Sequence, residues 1–413
     1  MKIAILGTDA DVVRLATAAV GEGHEIIWLG DVRPEEVSAI QQLASRRDGA
    51  SQWELLLDGS IADAVIVGRG TASGDVRAEQ LKRLAAEGVP LLVVHPVTPS
   101  VLTYYEVDMI RRETHGIVRH YNPVASHPVV ADLAAWVRDG HPTIGQIHQV
   151  TCERRLADTG RPNVLRHLAR DVELMATTAG DIRRVSAIGP ATADASHASL
   201  QVQMTTDGPA SLRWSVGSPS HRASALEMTL VGERGSLTLR APDDAPSGDE
   251  CEWQLETTGE EANECEPLPD YDAPLAAIEQ FAAAVAEKDI AHRAAASTWD
   301  KATRAMEVVD AVELSLQKGR MIDVYQQQLT ERLAFRGTMA AVGCGLLLIS
   351  FVVLVAVTIL GGAERPGGNR LAPSWGFALL ALLGFFLLLQ ALPLLAAKLS
   401  RKRAASADDR PNN

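Results

Sequence analysis

Two stretches without a charged residue, Gly337 to Leu360 and Leu371 to Ala397, constrain this chain of 413 residues more than any other feature. Each exceeds the roughly 20 apolar residues that cross a bilayer core. The segment between them, 361–370, is rich in Gly and Pro. The C-terminal part is therefore expected to be a hairpin of two transmembrane helices, 337–361 and 371–397, with Trp375 near an interface. Arg332 and Arg336 precede the first run, and Lys398, Arg401, Lys402 and Arg403 follow the second. The loop carries Arg365 and Arg370 against Glu364. By the positive-inside bias both termini and the soluble part face the cytoplasm, on the inner membrane. The apolar run Ile3 to Leu6 is too short for a signal peptide.

Charge then separates the two parts. The formal net charge is −13; the stretch from Glu331 onward holds nine Lys/Arg against four Asp/Glu, or +5, which leaves −18 for residues 1–330. A body so acidic repels phosphate backbones and is expected to bind no nucleic acid. Cys152, Cys251, Cys265 and Cys344 lack CxxC spacing, which argues against a disulfide framework or a zinc site.

Within the body, Lys2 to Leu6, His24 to Leu29, Ala62 to Val67 and Pro90 to Val94 are mostly apolar strands. Between them come helical segments ending at Val20 and spanning Pro34 to Ser45 and Val76 to Glu87. Strands alternating with helices at this spacing predict an α/β, doubly wound parallel sheet of Rossmann type. After about residue 122 the pattern changes. Gln201 to Met204 and Leu212 to Val216 alternate polar and apolar, the signature of an antiparallel sheet with one covered face. Val164 to Ala179, Pro274 to Glu287 and Thr298 to Lys318 are expected helices. Ala241 to Pro269 is expected to be a loop or loose hairpin, and Met321 to Val324 a short strand. The expected domains are 1–122, Rossmann-like, and 123–330, α+β with a mainly antiparallel sheet.

Five fragments in order resemble the Gfo/Idh/MocA family of NAD(P)-dependent oxidoreductases: Lys2-Ile3-Ala4-Ile5-Leu6-Gly7; Trp28-Leu29-Gly30-Asp31 with Pro34-Glu35; Gly88 to Pro96; Val231 to Leu239; and Ala311 to Ser315 with Lys318-Gly319. The resemblance spans roughly residues 1–325. It implies a dinucleotide site in the first domain, NAD or NADP as cofactor, a sugar, polyol or related carbonyl compound as small-molecule substrate, and a homo-oligomer.

The departures fall at the chemical positions. The dinucleotide fingerprint uses glycines for a tight turn and close approach to the pyrophosphate. Here Gly7 is followed by Thr8, Asp9 and Ala10, so Asp9 stands where the second glycine would be. A carboxylate 4 Å from a phosphate at an effective dielectric near 20 costs about 4 kcal/mol. Asp9 or Asp11 is equally readable as a helix cap. Asp31 suits a ribose hydroxyl or a plain strand-end turn. His95 stands where the family has the lysine of Glu-Lys-Pro, next to Pro96, either as a proton carrier or as a structural residue. The position of the family's acid/base histidine falls on Arg170, with Arg166 one turn before, and guanidinium cannot act as a base. A shifted alignment makes His167 the base and Asp171 its orienting partner; the alternative is an ion-pairing helix face. No metal site is expected. Two functions remain open: a membrane-anchored NAD(P)-dependent oxidoreductase, or a catalytically inactive membrane-tethered scaffold or ligand sensor.

Overall fold

A computed structural model describes residues 1–324 except 44–49, 60, 191–195, 218–224, 243–252, 260–262, 288, 290, 291 and 293–296. Residues 1–326 form one compact unit. Among the described residues no helix is long and apolar enough to cross a membrane. The expected hairpin, 337–361 and 371–397, lies outside the described residues.

The first sheet is parallel, ordered β2-β1-β3-β4-β5. Its strands are β1 (Lys2–Leu6), β2 (Glu25–Gly30), β3 (Ala64–Val67), β4 (Leu91–Val94) and β5 (Val118–Tyr121). The central strands are apolar without alternation because helices cover both faces. On one face Ile3, Ile5 and Ile66 pack with Val12 and Leu15 of α1 (Ala10–Gly21). Ile278 and Phe281 of α7 (Ala273–Ala286), from far along the sequence, complete that layer. On the other face Ala4, Leu6 and Val67 meet Leu81 and Leu84 of α3 (Gly74–Ala86) and Tyr104 of α4 (Val101–Thr114). The helix expected over Pro34 to Ser45 is shorter: a 3-10 turn at Pro34–Glu36 runs into α2 (Val37–Gln41).

The second sheet has nine strands, ordered β13-β12-β11-β10-β6-β9-β8-β7-β14. They are β6 (Ile147–Arg155), β7 (Ile182–Ile188), β8 (Gln201–Thr206), β9 (Ser211–Gly217), β10 (Ala225–Gly232), β11 (Gly235–Pro242), β12 (Gln254–Gly259), β13 (Asn263–Pro267) and β14 (Ile322–Asp323). Pairing is antiparallel except between β6 and β9. In β8 and β9 the inward residues Val202, Met204, Leu212 and Trp214 are buried and their neighbours exposed or half-buried, as period-2 patterning requires. Helices α5 (Val129–Asp139), α6 (Arg161–Ala179) and α8 (Trp299–Lys318) supply Leu133, Leu168 and Met306 to the same core. Of the two expectations for 241–269, the described residues fit the hairpin: β12 and β13 pair over Gln254–Thr258 and Asn263–Pro267. Its Glu, Thr and Asn side chains are those tolerated on a sheet edge, so it carries little apolar signal.

Candidate functional site

In an open parallel sheet, ligands bind beyond the carboxyl ends of the strands, where the winding reverses. Here that place lies between β1 and β3, and the loops after β1, β2, β3 and β4 converge on it.

Gly7 ends β1 at φ 83°, and a Cβ there would lie 2.6 Å from the Gly68 carbonyl oxygen and nearer still to the Arg77 guanidinium, so only glycine fits. Thr8 is buried, and its hydroxyl accepts from the Arg33 backbone N–H at 2.8 Å. Asp9 caps α1, its Oδ1 accepting from Val12 N–H at 3.1 Å. Its Oδ2 accepts from Arg69 Nε at 3.0 Å and from the Arg69 backbone N–H at 3.3 Å. The carboxylate therefore takes the position an anionic ligand commonly takes at a helix N-terminus. Ala10 is the first helical residue behind it.

Asp31 is also engaged. It sits at φ 55° just after β2 and is 8% exposed. Its carboxylate accepts from Thr71 N–H at 2.9 Å, from the Thr71 hydroxyl and from Ala72 N–H at 3.3 Å, and it pairs with buried Arg77. Arg77 in turn donates to Gln80 at 2.8 Å. Asp31 thus holds the loop after β3 against the end of β2, using the oxygens a ribose would need.

His95 ends β4, its peptide bond to Pro96 is cis, and its ring is 1% exposed. The ring lies edge-on to Tyr104 (5.8 Å) and His120 (5.7 Å), and neither nitrogen makes a well-formed hydrogen bond. Burial, reinforced by His120 and Arg170 and opposed by Glu173, holds its pKa down at about 3, so the ring is neutral. Behind it His120 Nε2 is 2.6 Å from Glu173, which also accepts from Asn122 at 2.8 Å. Burial pushes the Glu173 carboxyl up, but His120, His95 and Asn122 outweigh it and hold it at about 2.

Arg170 is buried, pairs with Asp11 of α1 and donates to the His95 carbonyl oxygen at 2.7 Å. The position the resemblance gives to an acid/base histidine is thus a clamp between α6, α1 and the end of β4. Asp171 does not meet His167: its carboxylate pairs with Arg154 of β6 and accepts from Trp214 Nε1 at 2.8 Å, all three buried. His167 instead lies 2.9 Å from Arg166 Nη2, and burial together with Arg154, Arg166 and Arg170 drives its pKa well below the ordinary value.

Open space lies beside these residues rather than on them. A cleft of about 680 Å³ is floored by Pro96, Val97 and Thr98. Tyr104 fixes this floor: its hydroxyl accepts from Val97 N–H at 3.1 Å, and its ring stacks on Trp299 of α8 at 4.8 Å. Arg33 and Arg69 stand on the sheet side, Arg161 and Arg166 on α6, with Met306 and Val309 between. Asp158 and Glu313 are the acids of the lining. Pro96 lines this cleft, while His95 lies behind it. Of these arginines only Arg166 was singled out from the sequence; for Arg33 and Arg69 the available signal was arginine just beyond a strand end, after β2 and after β3, in an acidic body. Among the described residues no group of three or more His, Cys, Asp or Glu side chains is arranged to hold a metal ion.

No protein-family model and no curated protein sequence matches the chain. Its fold is similar to that of an oxidoreductase from Agrobacterium radiobacter solved with NAD+, L-tartaric acid and magnesium. The TM-score is 0.59 at 14% identity, over 78% of this chain and 98% of that one. It is also similar to a 3-ketoreductase from Actinomadura kijaniata solved with NADP and TDP-benzene, with TM-score 0.61, 16% identity and coverage of 76% and 97%. Levoglucosan dehydrogenase in complex with NADH and L-sorbose gives TM-score 0.61, 13% identity and coverage of 79% and 99%. At these identities the likeness is one of fold: the chain shares the fold of these solved oxidoreductases over 76–79% of its length.

Proposed function

We propose that the protein is an NAD(P)-dependent oxidoreductase acting on a sugar, polyol or related carbonyl compound. The observation that carries this reading is the arginine-lined cleft of about 680 Å³ at the carboxyl edge of a Rossmann-type sheet. Residues 1–122 would supply the cofactor side and 123–330 the substrate side. By room the cleft suits a dinucleotide; Arg33 and Arg69 would hold its phosphates, and Pro96 and Val97 its nicotinamide end. Two contacts differ from the usual scheme, because Asp9 and Asp31 already have partners.

A bound nicotinamide would supply hydride-transfer chemistry between a carbinol and its carbonyl form. The chain does the rest. The floor of Pro96, Val97 and Thr98, pinned by the Tyr104 hydroxyl at Val97 N–H, would be the surface on which the ring rests. For His95 to take the hydroxyl proton, its buried ring would first have to reach the cleft from behind Pro96, where the His120–Glu173 pair would balance an imidazolium. The C-terminal hairpin, 337–361 and 371–397, would hold this body on the cytoplasmic face of the inner membrane, and the chain would act as a homo-oligomer.

One observation favours a second reading. Arg170 and Asp171, on the helix where the resemblance places the acid/base group, are both locked in buried ion pairs. A ligand sensor on the membrane would keep the cleft and lose the chemistry. The test is to mix the full chain with NADH or NADPH and a panel of ketoses and aldehydes. The oxidoreductase reading expects bound cofactor and loss of its absorbance at 340 nm with at least one sugar. Bound cofactor with no oxidation across the panel and across pH 5–9 selects the sensor, and no binding at millimolar cofactor ends both dinucleotide readings.

A further inference from the structure

The wall of the cleft that belongs to the second sheet's domain is built from the start of α6 and from α8. Its polar side chains are spent on partners within the protein. Arg161 pairs with Glu313. Arg166 donates to His167 at 2.9 Å. Asp158 Oδ1 accepts from Gly160 N–H at 2.8 Å, and Asn163 Nδ2 donates to the Asp158 carbonyl oxygen at 2.8 Å. Two arginines stand against two carboxylates on this wall, so by count it is neutral. The rest of it is apolar: Pro162, exposed; Leu165, half-buried; and Met306 and Val309, edges of the core that reach the cleft. Pro96 and Val97 of the floor continue the same surface.

Such a wall discriminates by what a ligand loses on leaving water. A hydroxyl set against it gives up hydrogen bonds to water that the engaged side chains do not replace. An anion would have to take Arg161 from Glu313 and leave that carboxylate uncompensated beside itself. An uncharged apolar group loses nothing polar and gains by burial. We propose that the preferred substrate is an uncharged carbonyl compound with an alkyl or aryl flank, the flank lying on Pro162, Leu165, Met306 and Val309. The word substrate rests on the oxidoreductase reading; the binding of an uncharged apolar group does not.

The experiment is calorimetric titration of the full chain with three probes, and with NADPH separately. The probes are 4-phenyl-2-butanone, 3-phenylpropanoate, which has the same shape with a carboxylate in place of the methyl ketone, and D-glucose. The ketone is expected to bind roughly tenfold or more tightly than glucose, and more tightly than the carboxylate. Leu165→Gln, checked for fold by circular dichroism, is expected to weaken ketone binding severalfold, and Leu165→Met to retain it. The comparison of probes on the wild type decides even if Leu165→Gln does not fold. Glucose or 3-phenylpropanoate binding as tightly as the ketone, or ketone affinity unchanged in folded Leu165→Gln, overturns the proposal. Failure of NADPH to bind while the ketone preference holds would instead strike the oxidoreductase reading and leave the apolar site standing.

Discussion

Acid is expected to destabilise the body through His95. The ring is 1% exposed and its pKa is held at about 3, burial being the largest cause. In the unfolded chain a histidine titrates near ~6.5. Between those values the unfolded state binds a proton that the folded state refuses. Stability is therefore complete above the unfolded value and falls as pH falls, by about 1.36 kcal/mol per unit, until the folded value is reached. From pH 7 to pH 5 the loss from this one ring is roughly 2 kcal/mol. Glu173, held at about 2, contributes a loss of the same sign only below the ordinary carboxylate range, outside that window. His167 has the same sign as His95, and it is present in both proteins to be compared. The perturbation is His95→Leu, which keeps an apolar side chain of similar volume against Tyr104 and His120. Urea unfolding of the full chain, followed by tryptophan fluorescence at pH 7 and pH 5, should show the variant losing about 2 kcal/mol less than the wild type over the interval. Equal losses in the two proteins would show that His95 is protonated or solvated in the fold, and the reasoning about its burial would fail.

Three further outcomes follow from the buried pairs. Asp171→Asn removes the buried carboxylate that pairs with Arg154 and should cost roughly 3–5 kcal/mol in urea unfolding, whereas an orienting role on a catalytic base would lower kcat in a protein of unchanged stability. Asp31→Asn should likewise cost roughly 3–5 kcal/mol by stranding Arg77; a shifted choice between NADH and NADPH at unchanged stability would restore Asp31 as a ribose ligand. Asp9→Gly gives up a helix cap for only a few tenths of a kcal/mol and releases Arg69, so NADPH affinity by fluorescence titration should rise roughly tenfold. No change would mean that phosphate does not approach α1.

The two sheets were legible because their residues obey local rules. Ile3 to Leu6 and Ala64 to Val67 are uninterrupted apolar runs, and Gln201 to Met204 alternates. β6 escaped because one of its inward positions is Arg154, whose charge is cancelled by Asp171 seventeen residues later. β5 escaped for a related reason: Arg119 and His120 sit in its middle, and His120 is satisfied by Glu173 from α6. α4 carries a narrow stripe of Tyr104, Val107 and Arg111 rather than a broad apolar face. At the site, the positions Gly7, Asp9 and Asp31 were readable, and so was Asp9 as a cap of α1, but the ion pairs of Asp9 and Asp31 were not. Arg69 reaches Asp9 across 60 residues and Arg77 reaches Asp31 across 46, and no spacing rule along the chain foresees either pair.

The central claim is that a dinucleotide binds in the cleft through Arg33 and Arg69. The most direct measurement is titration of the full chain with NADH and NADPH, followed by nicotinamide fluorescence, for the wild type and for Arg33→Gln and Arg69→Gln. The account expects saturable binding of at least one of the two by the wild type, weakening about tenfold or more in each variant, since each removes a cation from the phosphates. Absence of binding by the folded wild type at millimolar cofactor, or binding that neither substitution weakens, would contradict it.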